Sequence, residues 1–406
     1  MIEKVMKVVK SSNKRRGRNI TIGAVIGFLL SCTAVMGVDE IGVNIAVNGD
    51  KIEIDDKGKF TENTFEDGTY INNMTISAES PSGEAYGIKL SLTDKTINII
   101  NNGTILIDSE WSGYGIYNKG GTITTLTNNG TMLINSSLSG YGICNREGTI
   151  TKLTNNGIIS SSRHGIYNHK NSTIVTLINN GLISGSGSSF GYGIYQYEKS
   201  TITTLINNGL ISGYTSDPNV GGAGGYGIYN YISTIVTLTN NGLISSSSVP
   251  SGYGIYNKDD TYNDSSIITT LTNNGLIFGS GSLSGYGIYN EKSTITTLIN
   301  NGLISGSGSL SGYGIQNSDS AKITTLTNNG LISGYSSDPN AGGAVGYGIY
   351  ITSTIGTLNN TGIIYGKDNA IKNYYSGTIT TAKNNGILVN GNDGKGVVDG
   401  LDIVDE

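Results

Sequence analysis

The amino-acid sequence predicts an all-β chain, a parallel β-helix solenoid of about eleven turns with about 28 residues per turn, taken as right-handed because parallel crossovers are. Three observations predict it. A phrase of the form apolar-x-Asn-x-Gly-x-apolar recurs eleven times, its glycine falling at Gly103, Gly130, Gly157, Gly181, Gly209, Gly242, Gly275, Gly302, Gly330, Gly362 and Gly386. Within it the apolar residues are mostly spaced by two and are β-branched, which is a strand pattern and not a helical one. A second phrase, Tyr-Gly-Ile-Tyr-Asn, follows each first phrase after a loop of variable length.

The columns that refuse polar substitution give the phase of each strand. In Leu205-Ile206-Asn207-Asn208-Gly209-Leu210-Ile211 the first Asn never varies, whereas the second becomes Thr361 once. Leu205, Asn207, Gly209 and Ile211 are therefore expected on the buried face, with their neighbours in water. An Ile three residues before the Leu, as in Ile123, Ile150, Ile202 and Ile323, opens the strand. In the second phrase the Ile at positions such as Ile116, Ile194 and Ile288 is invariant and points in, and the Tyr after it points out.

One turn cannot bury enough apolar surface to offset the ordering of its backbone, so stability must come from stacking. An inward Asn column suits a stack, because each side-chain amide donates to the layer on one side and accepts from the layer on the other. Asn128, Asn155, Asn179, Asn207, Asn240, Asn273, Asn300 and Asn328 are predicted to form that structural ladder.

Four segments follow. Residues 1–37 read as an export signal with an extended basic lead (Lys4, Lys7, Lys10, Lys14, Arg15, Arg16, Arg18) before an uncharged run from Asn19 to Val38. Lipidation at Cys32, or retention of the run as an anchor, are the alternatives to cleavage after Gly37. Residues 38–84 fit the repeat poorly and are assigned to an N-terminal cap or irregular first turns. Residues 85–390 form the repeat domain, and 391–406 an acidic tail. Tyr214 to Gly222 and Tyr335 to Gly343 match closely, pointing to a duplicated block of turns, and the long loops are expected along one side of the cylinder.

Without residues 1–37 the chain keeps 18 basic and 29 acidic side chains, a net charge near −11, which argues against nucleic acid as a partner. Only Cys144 remains, so no intrachain disulfide is expected.

The basic leader, the Thr-Leu-Thr-Asn-Asn-Gly phrase with its Ser-Gly tail, and the low cysteine content resemble the passenger region of autotransporters (type V secretion) of Gram-negative bacteria. The likeness covers the leader and nearly all of 85–390. It implies an exported protein at the cell surface or outer membrane, or secreted, acting as an adhesin or stalk. It also implies secretion machinery and an outer-membrane β-barrel as partners, and a host or neighbouring-cell glycan or protein as the bound target. The chain departs from that pattern after Gly386, where no succession of amphipathic strands follows, so a barrel is expected to be lost or supplied by another protein.

Neither catalysis nor a cofactor is expected. The acidic residues, including Asp259, Asp260 and Asp264, are scattered through loops and read as solvated, with calcium or catalysis the lesser reading. His164 and His169 read as surface substitutions, since two histidines without a third ligand are weak evidence for a metal site. The outward Tyr117, Tyr167, Tyr195, Tyr229, Tyr256, Tyr289 and Tyr350 are the candidate ligand-binding stripe, through stacking on sugars or anchoring of a protein. The plain alternative is that these rings stack on each other. The column of Tyr114, Tyr141, Tyr192 and their equivalents is left without a facing. A β-helix polysaccharide-degrading enzyme and an ice-binding or surface-binding solenoid, the latter prompted by pairs such as Thr201/Thr203, are the alternative functions.

Overall fold

The computed structural model describes residues 43–48, 51–55, 64–66, 68–80, 83–91, 96–216, 224–260, 266–338, 345–391 and 398–399. The leader at 1–37 and most of the acidic tail lie outside the described residues. The described chain is a parallel β-solenoid of about 11 turns, without helix. Each turn gives one strand to each of three sheets, which hold 14, 13 and 12 strands.

One mid-stack turn shows the plan. Thr201–Asn207 forms the first face, Leu210–Thr215 the second and Gly224–Tyr231 the third. Each residue pairs with its own equivalent one turn on: Leu205 with Leu238, Ile211 with Ile244, Ile228 with Ile255. The core is therefore made of aliphatic files, and Ile202, Leu205, Ile211 and Ile228 are all wholly buried. Ile202 and Leu205 both point inward although three residues apart, because the strand alternation slips between them and Thr203 pairs with nothing.

The predicted amide ladder is present. Asn207 Nδ2 donates to Asn240 Oδ1 at 2.8 Å, and Asn207 Oδ1 accepts from Asn179 Nδ2 at 2.8 Å. The same Nδ2 reaches Gly209 O at 3.2 Å and Leu243 O at 3.1 Å, which fixes which end of the amide is nitrogen. The ladder thus sits at the bend between the first and second faces. There the Asn179 carbonyl takes two N–H groups from the next turn, Asn208 at 2.7 Å and Gly209 at 3.0 Å.

Gly209 is part of that bend and is half-buried, not a core position as the alternation implied. It must be glycine because a Cβ there would lie 2.1 Å from the Gly181 carbonyl of the preceding turn. Met74 occupies the equivalent place just before Thr75–Ser80, the strand that ends its sheet, where no described turn precedes it. That substitution hid an additional turn from the sequence pattern. Thr69–Asn72, Thr75–Ser80 and Glu84–Ser91 already stack in parallel register on the next turn, and Asn72 donates to Asn101 at 2.7 Å. Two antiparallel pairs, Val43–Asn48 with Lys51–Asp55 and Thr64–Glu66 with Thr69–Asn72, lie at this end.

A second sealed amide file was not foreseen. Asn118, Asn145, Asn168, Gln196, Asn230, Asn257, Asn290 and Asn317, from the Tyr-Gly-Ile-Tyr-Asn phrase, are all wholly buried at the bend between the third and first faces. Asn230 Nδ2 donates to Asn257 Oδ1 at 2.7 Å and to Ser233 O at 2.9 Å, locking that corner as Asn207 locks the other. The remaining corner is held by hydroxyls, such as Ser136 Oγ to Trp111 O at 2.9 Å. Two of the long loops open at it, between Leu210–Thr215 and Gly224–Tyr231 and between Leu331–Ser336 and Val345–Ile351. A third, between Ser251–Lys258 and Ile267–Asn273, leaves from the other side, so the loops are not confined to one edge as expected.

Gln196 breaks the second file. Its longer side chain accepts from Asn168 at 2.6 Å but donates to Thr234 O at 3.4 Å, and Asn230 Oδ1 is left buried without a donor. Gln196→Asn should restore the rung and stabilise the fold by about 1 kcal/mol. Urea unfolding measures this as a raised midpoint at unchanged slope; an unchanged or lowered midpoint would show that the file does not act as a continuous ladder.

Candidate functional site

The candidate stripe is built on the third face. In Ser112–Lys119 the alternation slips at Gly115, so Tyr114 and Tyr117 both stand on the outside while Ile116 and Asn118 point in. A Cβ at Gly115 would lie 2.5 Å from the Gly142 carbonyl of the next turn, which explains the glycine between the two tyrosines. The column without a predicted facing is thus a second outward one, alongside the first.

None of the seven candidate tyrosines stands free: five stack on one another, and Tyr117 and Tyr350 pack on the second column. Tyr167 and Tyr195 have centroids 5.1 Å apart at 10°, Tyr195 and Tyr229 5.1 Å at 5°, Tyr229 and Tyr256 5.2 Å at 12°, and Tyr256 and Tyr289 4.9 Å at 5°. Tyr117 packs on Tyr114 at 4.8 Å, and Tyr350 on Tyr347 at 5.5 Å. The two columns interlock, and together with His164 their rings run from Tyr86 towards Tyr374 without a break. Tyr117 and Tyr256 are only 8% and 7% exposed, so the expectation that this column lies in water is corrected. Ring faces are taken up by the turns above and below.

The surroundings favour the neutral phenols. Burial, the largest cause, raises the Tyr195, Tyr229 and Tyr256 hydroxyls far above the usual 10, and the Glu291 carboxylate adds to it at Tyr256. Tyr256 donates to Glu291 and Tyr231 to Asp260. Lys258 Nζ lies 3.3 Å from Asp260 and 3.9 Å from Glu291, forming a small charged rim beside the rings. Asp260 is therefore paired, Asp259 is 2% exposed and not a solvated loop residue, and Asp264 lies outside the described residues.

Both histidines belong to this stack, which corrects their reading as surface substitutions. His164 is 2% exposed, fills a tyrosine place and stacks on Tyr192 at 4.6 Å. His169 is 7% exposed and lies flat on Tyr167 at 4.0 Å, its Nε2 3.7 Å from the Sγ of Cys144. Cys144 itself replaces a tyrosine and is buried, which pushes its thiol up. The pair is thus held as neutral thiol and neutral imidazole. Among the described residues, no three His, Cys, Asp or Glu side chains are gathered to hold a metal ion.

A third amide file, on the outside, was missed by sequence reasoning, which took the second Asn of the phrase as merely solvated. Asn102, Asn129, Asn156, Asn180, Asn208, Asn241, Asn274, Asn301 and Asn329 are exposed, each donating to the preceding turn, as Asn208 does to Asn180 at 2.8 Å and Asn241 to Asn208 at 2.9 Å. The signal was available, since this column departs from Asn only at Thr361, whose hydroxyl still bonds Asn329 at 2.8 Å.

No family model, curated protein or solved structure matches the chain.

The buried histidines make the fold acid-sensitive. Burial, with Arg146 and Lys170 nearby, lowers His169 to about 4, and burial with Arg163 lowers His164 well below 6.5. Their folded-state values are depressed, so this stability is complete above the unfolded value of about 6.5 and is lost as pH falls toward 4. A His164→Tyr, His169→Tyr chain, using residues found in neighbouring turns, should lose roughly 1–3 kcal/mol less than the parent between about pH 7.5 and 4.5. Equal acid losses in urea unfolding of the two chains would refute the assignment.

Proposed function

We propose that the chain is an exported cell-surface repeat protein, the passenger of an autotransporter-like system, that acts as an adhesin or as its stalk. The observation that carries this reading is the uninterrupted stack. About 11 turns share one core through three continuous sheets, an architecture that supplies reach and stiffness without hinges. The basic leader followed by an uncharged run supports export. The target is a glycan or protein on a host or neighbouring cell. On this reading the tyrosine edges, hydroxyls and the Lys258–Asp260–Glu291 rim are contact groups, with ring stacking serving mainly to fix the third face.

Antibody labelling of intact cells, with a protease-protection control, tests the proposal. The expected result is that the repeat region is labelled and cleaved from outside, and that the purified region coats target cells. Protection from external protease on cells that contain the full-length chain would overturn it.

A further inference from the structure

Because the tyrosines cover one another's faces, a more open regular surface among the described residues is the outer amide file between the first and second faces. Asn180, Asn208, Asn241, Asn274 and Asn301 each use one N–H on the preceding turn and one oxygen lone pair on the following one. A primary amide carries two of each, so every rung keeps one N–H and one acceptor position toward solvent. The rungs inherit the strand spacing of roughly 4.7–4.9 Å. Half-buried side chains flank them, the aliphatic Leu210, Leu243 and Leu276 column on one side and a mixed column of Ile178, Ile206, Thr239, Thr272 and Ile299 on the other. The five first-face strands from Thr173 to Asn300 carry no charged residue, although the chain as a whole is acidic.

We infer that this file binds an ordered polymer of N-acetylated amino sugars. An acetamido group offers one N–H, one C=O and one methyl; the amide rung complements the first two and the aliphatic column the third. Acetylation also removes the amine charge, and an uncharged strip offers a free ammonium no carboxylate. A peptide strand would instead seek unpaired backbone edges, which among the described strands the stacking leaves at the ends of the three sheets. The inference goes beyond the adhesion reading and uses none of the tyrosines.

The test mixes the full chain with insoluble poly-N-acetylglucosamine and with the same polymer after de-N-acetylation. Retention should be about tenfold or more stronger on the acetylated form, the scale expected from losing a few amide bonds at once. Two variants separate the contributions: Asn208→Ser with Asn241→Ser and Asn274→Ser, and Leu210→Thr with Leu243→Thr and Leu276→Thr. The aliphatic column already accepts Thr104 and Thr131, so the second variant keeps the fold even if the first does not. Each should lose about tenfold in retention at an unchanged unfolding midpoint. Equal retention on both polymers, no retention, or full retention by a folded variant would overturn the inference. Surface exposure on cells is measured separately, so either proposal can fail while the other stands.

Discussion

The fold depends on satisfying buried backbone at its corners. A coil of this size must turn between faces several times, and at each bend backbone carbonyls point inward beyond the reach of the ladder bonds. Asn207 and Asn230 show the solution: one side-chain amide bonds the corner carbonyl of its own turn, a carbonyl of the next turn and the next amide in the file. Neither a hydroxyl nor an aliphatic side chain supplies that set of donors together with an acceptor. Where the file meets other chemistry the deficit is visible. Asn118 Oδ1, whose neighbour in the preceding turn is Leu90, and Asn230 Oδ1, after Gln196, are both buried without a donor.

The rest of the repeat follows from coils held this close. Glycine is required where one turn's Cβ would strike another's carbonyl, and the direction of the clash decides where it can be spared. Gly209 and its equivalents face the preceding turn, and the copy at the start of the stack has Met74; Gly348 faces the following turn, and the last complete turn has Ala370. Aromatic side chains on the outside are brought to stacking distance by the same repeat, which uses their faces for cohesion. The inner Asn207 file donates forward along the chain and the outer Asn208 file donates backward, so their amide dipoles oppose at one corner.

The core was legible because its columns are strict: an invariant Ile or Asn, or a place that is always apolar, recurring in eleven copies has few explanations besides inward stacking. The outward columns were read less well. Alternation alone placed the tyrosines in water, but strand slips at Gly115 and its equivalents put two aromatic columns side by side, and neighbouring rings exclude water from each other. His164 was misjudged for the same reason, since a residue in an aromatic column takes the environment of that column, whereas His169, in a column with Arg146 and Tyr197, is covered by the Tyr167 ring. Asn230 and its equivalents carried a weaker signal, because their column also holds Leu90, Gln196 and Ile351. The added N-terminal turn was hidden by the one substitution, Met74, that an end position permits.

The adhesin and polymer-binding proposals both presuppose a rod whose coils are closed by sealed amides and whose outer amides are free to act. Comparing urea unfolding of Asn207→Asp and Asn208→Asp tests this most directly, since the two residues are adjacent and differ only in which side of the corner they face. The account predicts a loss of roughly 1–3 kcal/mol or more for Asn207→Asp, which buries a charge among carbonyls and amides, and a change within about 0.5 kcal/mol for the exposed Asn208→Asp. Equal losses at the two positions, or the greater loss at Asn208, would contradict it.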